Sequence, residues 1–547
     1  MSPNTSAPLF MSFNRPNISE SQVKGSFTAP NLDGMFDQEY DDQFTMSSAH
    51  KLNKLKRTNE NLRSSPTTGP STASIDALPP SIDDEIDNFG IITTVDLSLI
   101  HNAAANALTS LEAKKQKRSH PTETTTENCA RRLECTAQPY AWGKIGSSAL
   151  VSRMKKSQSP ATFEIEQDKP YAELWIGTHP NGMSEITLDN DEKITLLDYV
   201  RQSPEQHLGV DGATSPSDEY DLTFLFKVLS INKVLSIQAH PDKHLAAQLH
   251  TDFPKNYKDP NHKPEMAVAL TDDFEAMSGF RNVVEIGQHL LDYPEFANLI
   301  EVTARDDFLK AAKQKQFFPP RRLFQRVFKS YMEATDDMIQ TNLDTMLTRL
   351  SAKDPSSLTT TEQLMLRLSD QFPGDCGIFA PLLFNHLKLT KGEAFYIGAN
   401  EPHAYIQGEI LECMACSDNV VRAGLTPKLK DVDTLIKMLT YKSTIPEITR
   451  GVAVDDHCTL FAPPVKDFAM EVLTLHKGDT YELQPVLSPS VLLTLDGAGT
   501  LTQGDVQSLE MDFGKSAFMS ANTKATITAQ SDDGIKIVRA MSNVQLL

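Results

Sequence analysis

The 547-residue chain carries 52 Lys+Arg against 72 Asp+Glu, a formal net charge of −20, and so does not read as a chain that grips nucleic acid along its length. A mean hydropathy of −0.33 and the lack of any apolar run of about 18 residues argue against a membrane-spanning helix. The opening MSPNTSAPLF has no basic stretch followed by an apolar one, so no secretory leader is expected, and six Cys fit a reducing, cytoplasmic compartment better than a disulfide framework.

Residues 1–128 are rich in Ser, Thr, Asn, Pro and Asp, as in SSPTTGPSTAS (64–74) and HPTETTTEN (120–128), and read as a disordered, low-complexity extension. Such composition buries too little apolar surface to offset the entropy of ordering it. One island from Thr94 to Leu111 has helical apolar spacing through Val95, Leu99, Ile100, Ala103, Ala107, Leu108 and Leu111, and ends in the basic run Lys114–Arg118. With KLNKLKR (51–57) it reads as a docking helix, as an import address, or as a solvated tail with no partner, which is the default.

From about residue 129 to 282, short β-prone runs alternate with turns, including two strands, Phe224–Ser230 and Val234–His240. Residues 283–373 lose β-branched runs and gain helical spacing in VVEIGQHLLDYPEFANLI, RRLFQRVFKSYMEATDDMIQTNLDTMLTRL and TEQLMLRLSDQF. Short strands resume near Ile378, so residues 374–440 continue the first β region and 441–547 form a second. The expected fold is mainly β, with a helical insertion entering at a surface loop. An internal echo aligns KGEAFYIGANEPHAYI (391–406) with FGKSAFMSANTKATIT (513–528) without a gap, placing Gly392 on Gly514, Asn400 on Asn522 and His403 on Ala525.

The chemistry concentrates in three stretches. Gln238 and His240 of SIQAHP lie two apart on a strand and so present an amide oxygen and an imidazole on one face. Glu265 of NHKPEMAVAL opens an apolar strand, where an unpaired carboxylate is costly, and Lys263 stands two residues before it. His403 follows a Pro turn in EPHAY. Together Gln238, His240, Glu265 and His403 make a mixed N/O set that zinc accepts, although softness alone also admits Fe, Mn or Co. Cys413 and Cys416 form a lone CxxC with no second pair, and read as small core residues. There is no Walker A and no Rossmann glycine fingerprint.

QPYAWGKIGS (138–147), KPYAELWIGTHPNG (169–182), FLFKVLSINKVLSIQAHPDK (224–243), NHKPEMAVALT (261–271), GFR (279–281) and ANEPHAYIQGEILECMACSDNVVRAGLTPKLKDV (399–432) occur in one order along roughly residues 133–547. In these motifs the sequence resembles the type I mannose-6-phosphate isomerase (phosphomannose isomerase) family of the cupin superfamily. The resemblance implies two cupin-type β-barrels: a catalytic one from 129–282 and 374–440, interrupted by a helical domain at 283–373, and a C-terminal one at 441–547. It implies an aldose–ketose isomerase that interconverts mannose 6-phosphate and fructose 6-phosphate through a cis-enediol, feeding GDP-mannose synthesis and glycosylation. It implies one zinc per chain on Gln238, His240, Glu265 and His403, and an essential Arg422 in NVVRAGLTPK. Lys263, Glu412, Tyr405, Asp418, Ser236, Lys428 and Trp142 fall on pocket positions of the family. The implied partner is a small sugar phosphate, with no nucleic acid or membrane, and the implied state is a monomer. The extension 1–128 lies outside the family's common pattern, and the helical insertion matches in character more than in sequence.

The reaction needs a ring opener, a base for the carbon-bound proton, an electrophile for the enediolate oxygens and a cation for the phosphate. Arg422 suits enediolate charge or phosphate, and Lys428 and Ser236 are phosphate candidates. Lys263, Glu412 and Asp418 compete as base; the reading favours Lys263, with Asp418 assisting or, alternatively, orienting Arg422. A non-catalytic sugar-phosphate sensor and a metal-dependent cupin oxygenase are the competing readings. Retention of Arg422 and Lys263 argues against the first, and Gln238 with the phosphate-side cations against the second.

Overall fold

The computed structural model describes residues 130–543 apart from 189, 191, 210–219, 316–320, 444 and 505–506. The expectations for the extension 1–128 and its island at Thr94–Leu111 lie outside the described residues. Among the described residues, no helix is long and apolar enough to cross a membrane.

The architecture is mainly β with a helical insertion. Its strands pair into sheets of eleven, nine, four and two strands. The eleven-stranded sheet is organised by one long strand, His403–Ala415, which changes partners along its length. Its second half lies between Phe224–Ile231 and Glu265–Ala269, while its first half pairs with Phe274–Phe280 and touches Ile237–Ala239. The switch falls at Gly408, whose φ of 114° and 2.8 Å approach of a notional Cβ to the Phe274 backbone leave room for no side chain. The nine-stranded sheet holds the C-terminal strands together with Arg131–Glu134, which inserts between Ser516–Met519 and Glu185–Thr187.

The helical segment contains Val283–Asp292, Pro294–Ala297, Val302–Lys313, Arg321–Met332, Asp336–Ser351 and Thr360–Gln371. Two expected long helices are each broken by local chemistry: Pro294 starts a new helix, and the Thr335 hydroxyl caps the next by accepting from Met338 N. The final helix carries a capping box between Thr359 and Glu362.

The β regions hold more helix than the sequence pattern suggests. Leu150–Gln158, Leu196–Gln202, Pro204–Leu208, Lys243–Asp252 and Val432–Met438 are helical. These are short, and their apolar residues are too few to show a period; Leu150, Val151 and Met154 are the only buried large apolar side chains of the first. The expected strand Val234–His240 shrinks to Ile237–Ala239, and the segment 376–382, expected to begin the returning strands, is a 3-10 helix before Phe384–Leu389.

Period-two alternation then aims the site. Ile237, Ala239, Ala404, Ile406, Val421 and Ala423 join the apolar core beneath, which is shared with the inserted helices. The intervening Gln238, His403, Tyr405 and Arg422 therefore project from the opposite face.

Candidate active site

Ile237–Ala239 lies between the start of the long strand and Val421–Gly424, and its register sets Gln238 opposite both His403 and Arg422. Directly opposed residues of antiparallel strands share a face, so the amide, the imidazole and the guanidinium stand in one row. His240 follows two residues after Gln238, anchored by its carbonyl, which accepts from Asn400 N at 2.7 Å. Glu265, at the start of its strand, is 1% exposed.

Three of these groups converge. His240 Nε2 is 3.2 Å from Glu265 Oε1, His403 Nε2 is 3.4 Å from Glu265 Oε2, and the ligand atoms all lie within 4.8 Å of one another. Each ring donates its Nδ1–H to a backbone carbonyl, His240 to Asn419 O at 2.7 Å and His403 to Glu401 O at 3.1 Å. In a neutral ring this leaves the lone pair on Nε2. Burial pushes His240 down to about 4, so that ring is neutral near pH 7. Burial opposes ionisation of Glu265, but the charge that the His240 ring takes on in acid and the Lys263 ammonium, 3.5 Å from Oε1, hold its carboxyl well below the usual range.

Both Nε2 atoms are buried without a hydrogen-bond partner. Two fixed, inward-facing lone pairs beside a carboxylate are unsatisfied as protein and satisfied as a coordination sphere. With the Gln238 amide in register, the donors fit a zinc ion with an open position. Among the described residues, this is the one group of three or more His, Cys, Asp or Glu side chains so placed. Cys413 and Cys416 take no part; burial raises both thiols, Cys416 to about 12.

The surrounding shell is polar and largely buried. Tyr405 donates its hydroxyl to Glu265 Oε2 at 3.2 Å. Glu412 lies opposite Lys227, whose ammonium reaches it at 3.0 Å and Glu173 at 3.2 Å; burial still keeps Glu412 above the usual carboxylate range. Trp175 closes this end, donating Nε1–H to Glu173 at 2.6 Å while the Lys227 ammonium sits 5.2 Å from its ring centre. Asp418 pairs with His179 at 3.1 Å and not with Arg422; that contact, aided by its charge, holds Asp418 below its ordinary range. Arg422 is half-buried and Lys428 exposed, in the turn that follows it. Ser236 and Trp142 are half-buried, Trp142 stacking on Tyr140 at 6.1 Å. Trp142, Ser236 and Lys428 make no hydrogen bond to the His240–Glu265–His403 cluster among the described residues. Lys227, Glu173 and His179 join this shell without standing among the residues expected from the sequence. The signal was there for Lys227, a lone charge inside FLFKVLS, and for Glu173 inside YAELWIG.

Three stretches match family descriptions of type I phosphomannose isomerase: the catalytic domain at 130–283, the helical insertion domain at 299–384 and the C-terminal part at 459–506. A mannose-6-phosphate isomerase of Candida albicans is 40% identical over 424 residues, which span 73% of this chain and 95% of that protein. The chain belongs to the type I phosphomannose isomerase family. A single-substitution variant of the phosphomannose isomerase from Salmonella typhimurium is similar in structure, with a TM-score of 0.65 at 31% identity, covering 76% of this chain and 99% of that one. A mannose 6-phosphate isomerase crystallised with zinc and yttrium gives 0.62 at 30% identity, with the same coverages. Like these phosphomannose isomerases, the chain is a β protein with a helical insertion.

Proposed function

We propose that the chain interconverts mannose 6-phosphate and fructose 6-phosphate through a cis-enediol, with one zinc ion per chain held by Gln238, His240, Glu265 and His403. The observation that carries this is the pair of buried, partnerless Nε2 atoms converging on Glu265. The activity named for the Candida relative and the zinc in a structural neighbour support the same reading.

Zinc, when bound, supplies Lewis-acid polarisation of the sugar's carbonyl and hydroxyl oxygens. The chain's own residues do the rest. In its free-amine form Lys263 takes the carbon-bound proton and, as the resulting ammonium, returns it to the neighbouring carbon, its Nζ placed by Glu265 at 3.5 Å, and Asp418 assists from its contact with His179. Arg422, in the row with Gln238 and His403, carries enediolate charge as a planar multi-donor cation. Lys428 and Ser236 hold the phosphate, and Trp142 walls the sugar. Tyr405 orients Glu265 by its hydroxyl, and Glu412 is held by Lys227.

We assign the catalytic domain to 129–282 and 374–440, the helical insertion to 283–373 and the C-terminal domain to 441–547, and read the two β regions as cupin-type barrels. The chain acts as a cytoplasmic monomer that supplies mannose 6-phosphate for GDP-mannose synthesis and glycosylation. The test is a coupled assay on the full-length protein with mannose 6-phosphate, before and after chelation. Turnover is expected to vanish on chelation and return with Zn²⁺. A zinc-loaded protein without turnover sinks the enzyme reading and leaves a sugar-phosphate sensor. Arg422→Ala is expected to lower kcat by about 10²–10³-fold with zinc retained, as for removal of a charge-stabilising donor; loss of zinc instead makes Arg422 structural.

A further inference from the structure

Asp259 lies outside every role assigned above, yet its carboxylate gathers the two loops that carry the proposed chemistry. It stands four residues before Lys263 in DPNHK and faces the loop Cys416–Asn419 that leaves the long strand. Its Oδ1 accepts from Asn261 N at 2.9 Å, Ser417 Oγ at 2.8 Å and Asn419 Nδ2 at 3.2 Å, and its Oδ2 accepts from Asp418 N at 2.8 Å. The two backbones are laced together further. Asn419 Nδ2 donates to Asp259 O at 2.7 Å and Asn261 O at 2.9 Å, and Asn261 Nδ2 donates to Cys416 O at 3.0 Å.

An ionised carboxylate is acceptor-only and can take four or so donors, so one aspartate satisfies both loops at once, with charge-assisted bonds. Each thing it fixes leads to the site. Asn419 is fully buried, and its carbonyl receives the His240 Nδ1–H at 2.7 Å, the bond that sets which nitrogen of that ring faces Glu265. Asp418 is held by its own amide, which sets where its side chain meets His179. Asn261 lies two residues before Lys263, so pinning it fixes the approach of that ammonium to Glu265.

We propose that Asp259 is a positioning residue of the active site: by clamping 259–263 to 416–419 it holds the His240 ring as a ligand and sets Lys263 and Asp418 relative to each other. It touches neither substrate nor metal. The inference rests on the zinc isomerase reading, and the test separates the two.

Asp259→Asn keeps the shape but turns one acceptor into a donor facing donors. The full-length variant and the unmodified chain are compared in three measurements: zinc affinity against a competing chelator, the visible spectrum of the cobalt-substituted protein, and kcat and KM at saturating zinc. The expected result is zinc affinity weakened about 10–100-fold, as for other groups that orient a metal-binding histidine, a shifted cobalt spectrum, and a fall in kcat with KM little changed. Unchanged zinc affinity, cobalt spectrum and kcat overturn the proposal, even if the melting temperature drops, since a purely structural aspartate moves only that. If Asp259→Asn does not fold, Ser417→Ala removes one donor and leaves the carboxylate three. It is expected to shift zinc affinity and the cobalt spectrum in the same direction by a smaller factor, and no shift overturns the proposal. If the unmodified chain itself binds no zinc, the isomerase reading fails and not the clamp alone.

Discussion

The segments 391–406 and 513–528 are built alike and do different things. Gly392 and Gly514 turn with φ of 86° and 78°, and the strands Ala394–Ile397 and Ser516–Met519 begin and end at matching positions. Asn400 and Asn522 both adopt left-handed backbone, at 64° and 58°, and the next strands start at His403 and Ala525. In the first copy, position 403 faces Gln238 and Glu265. In the second, Ala525 is buried in an apolar cluster with Leu483, Leu501 and Ile527. The same backbone thus frames a polar cluster in one place and plain packing in the other; the frame carries no chemistry by itself, and the side chains on it decide.

The largest break in this comparison is His403→Ala, which gives the first copy the residue of the second. One Nε2 donor disappears, and a metal supplies several kcal/mol of charge stabilisation in such reactions, so kcat/KM is expected to fall by about 10³-fold or more. Bound zinc falls with it while the far-UV circular dichroism stays unchanged. Retained zinc together with full activity sinks the ligand assignment.

The second region has its own buried charge, with a different purpose. Arg539 is 1% exposed; it donates to Ser490 Oγ at 3.1 Å and Gln484 O at 2.9 Å, and lies 3.4 Å from Glu471. Burial pulls the Arg539 pKa down and pushes that of Glu471 up, so each depends on the other. Arg539→Met leaves Glu471 without its partner and is expected to cost about 3 kcal/mol of stability, read by denaturant unfolding. The folded fraction keeps its kcat and its zinc. A variant that unfolds normally but loses zinc would join the two regions functionally and spoil the contrast.

How much of this was legible in the sequence follows from the range of each signal. The helical insertion was visible because apolar spacing persists over whole helices, and its breaks at Pro294 and Thr335 are local. Gln238 and His240 stand out because two polar residues at strand spacing are unusual in an apolar run, and Glu265 because it opens one. What no local pattern contains is pairing between distant segments. That Gln238 stands between His403 and Arg422, or that Asp418 meets His179 at a separation of 239 residues, comes from strand register and loop packing. Lys227 and Glu173 look like isolated charges until their strands lie side by side, and the short helix Leu150–Gln158 has too few buried positions to announce itself.

A smaller effect concerns acid. Glu275 sits in the first region, where burial raises its pKa but the hydrogen bonds from His386 and from Arg367 of the insertion, together with the charges of those groups, outweigh it and bring it to about 2. A carboxylate depressed in the folded state stabilises above its unfolded pKa and loses that contribution as pH falls through the folded one. The contribution is therefore full above about 4.5 and lost on the way down to about 2. Glu275→Gln is expected to lower the melting temperature at pH 7 and to flatten its decline across that acid window. An unaltered decline places the acid sensitivity elsewhere.

The finest test returns to the paired asparagines. A left-handed residue other than Gly normally carries strain, and Gly relieves it. Asn522 is exposed, and its backbone N–H donates to Val486 O at 2.7 Å, a bond that Gly keeps. Asn522→Gly is therefore expected to be neutral, or to stabilise by a few tenths of a kcal/mol. Asn400 has the same backbone duty toward His240 O, but its side chain also works: Oδ1 accepts from Asp242 N at 3.2 Å, and Nδ2 donates to the Asp242 carboxylate at 2.9 Å. Asn400→Gly removes both bonds, one of them to a charged group, and is expected to destabilise by about 1–2 kcal/mol. Equal responses at the two positions would reduce both turns to backbone geometry. Unequal ones mean that the first copy has turned a shared loop into a brace for the segment carrying His240, so the divergence of the copies extends from the ligand at 403 into the turn before it.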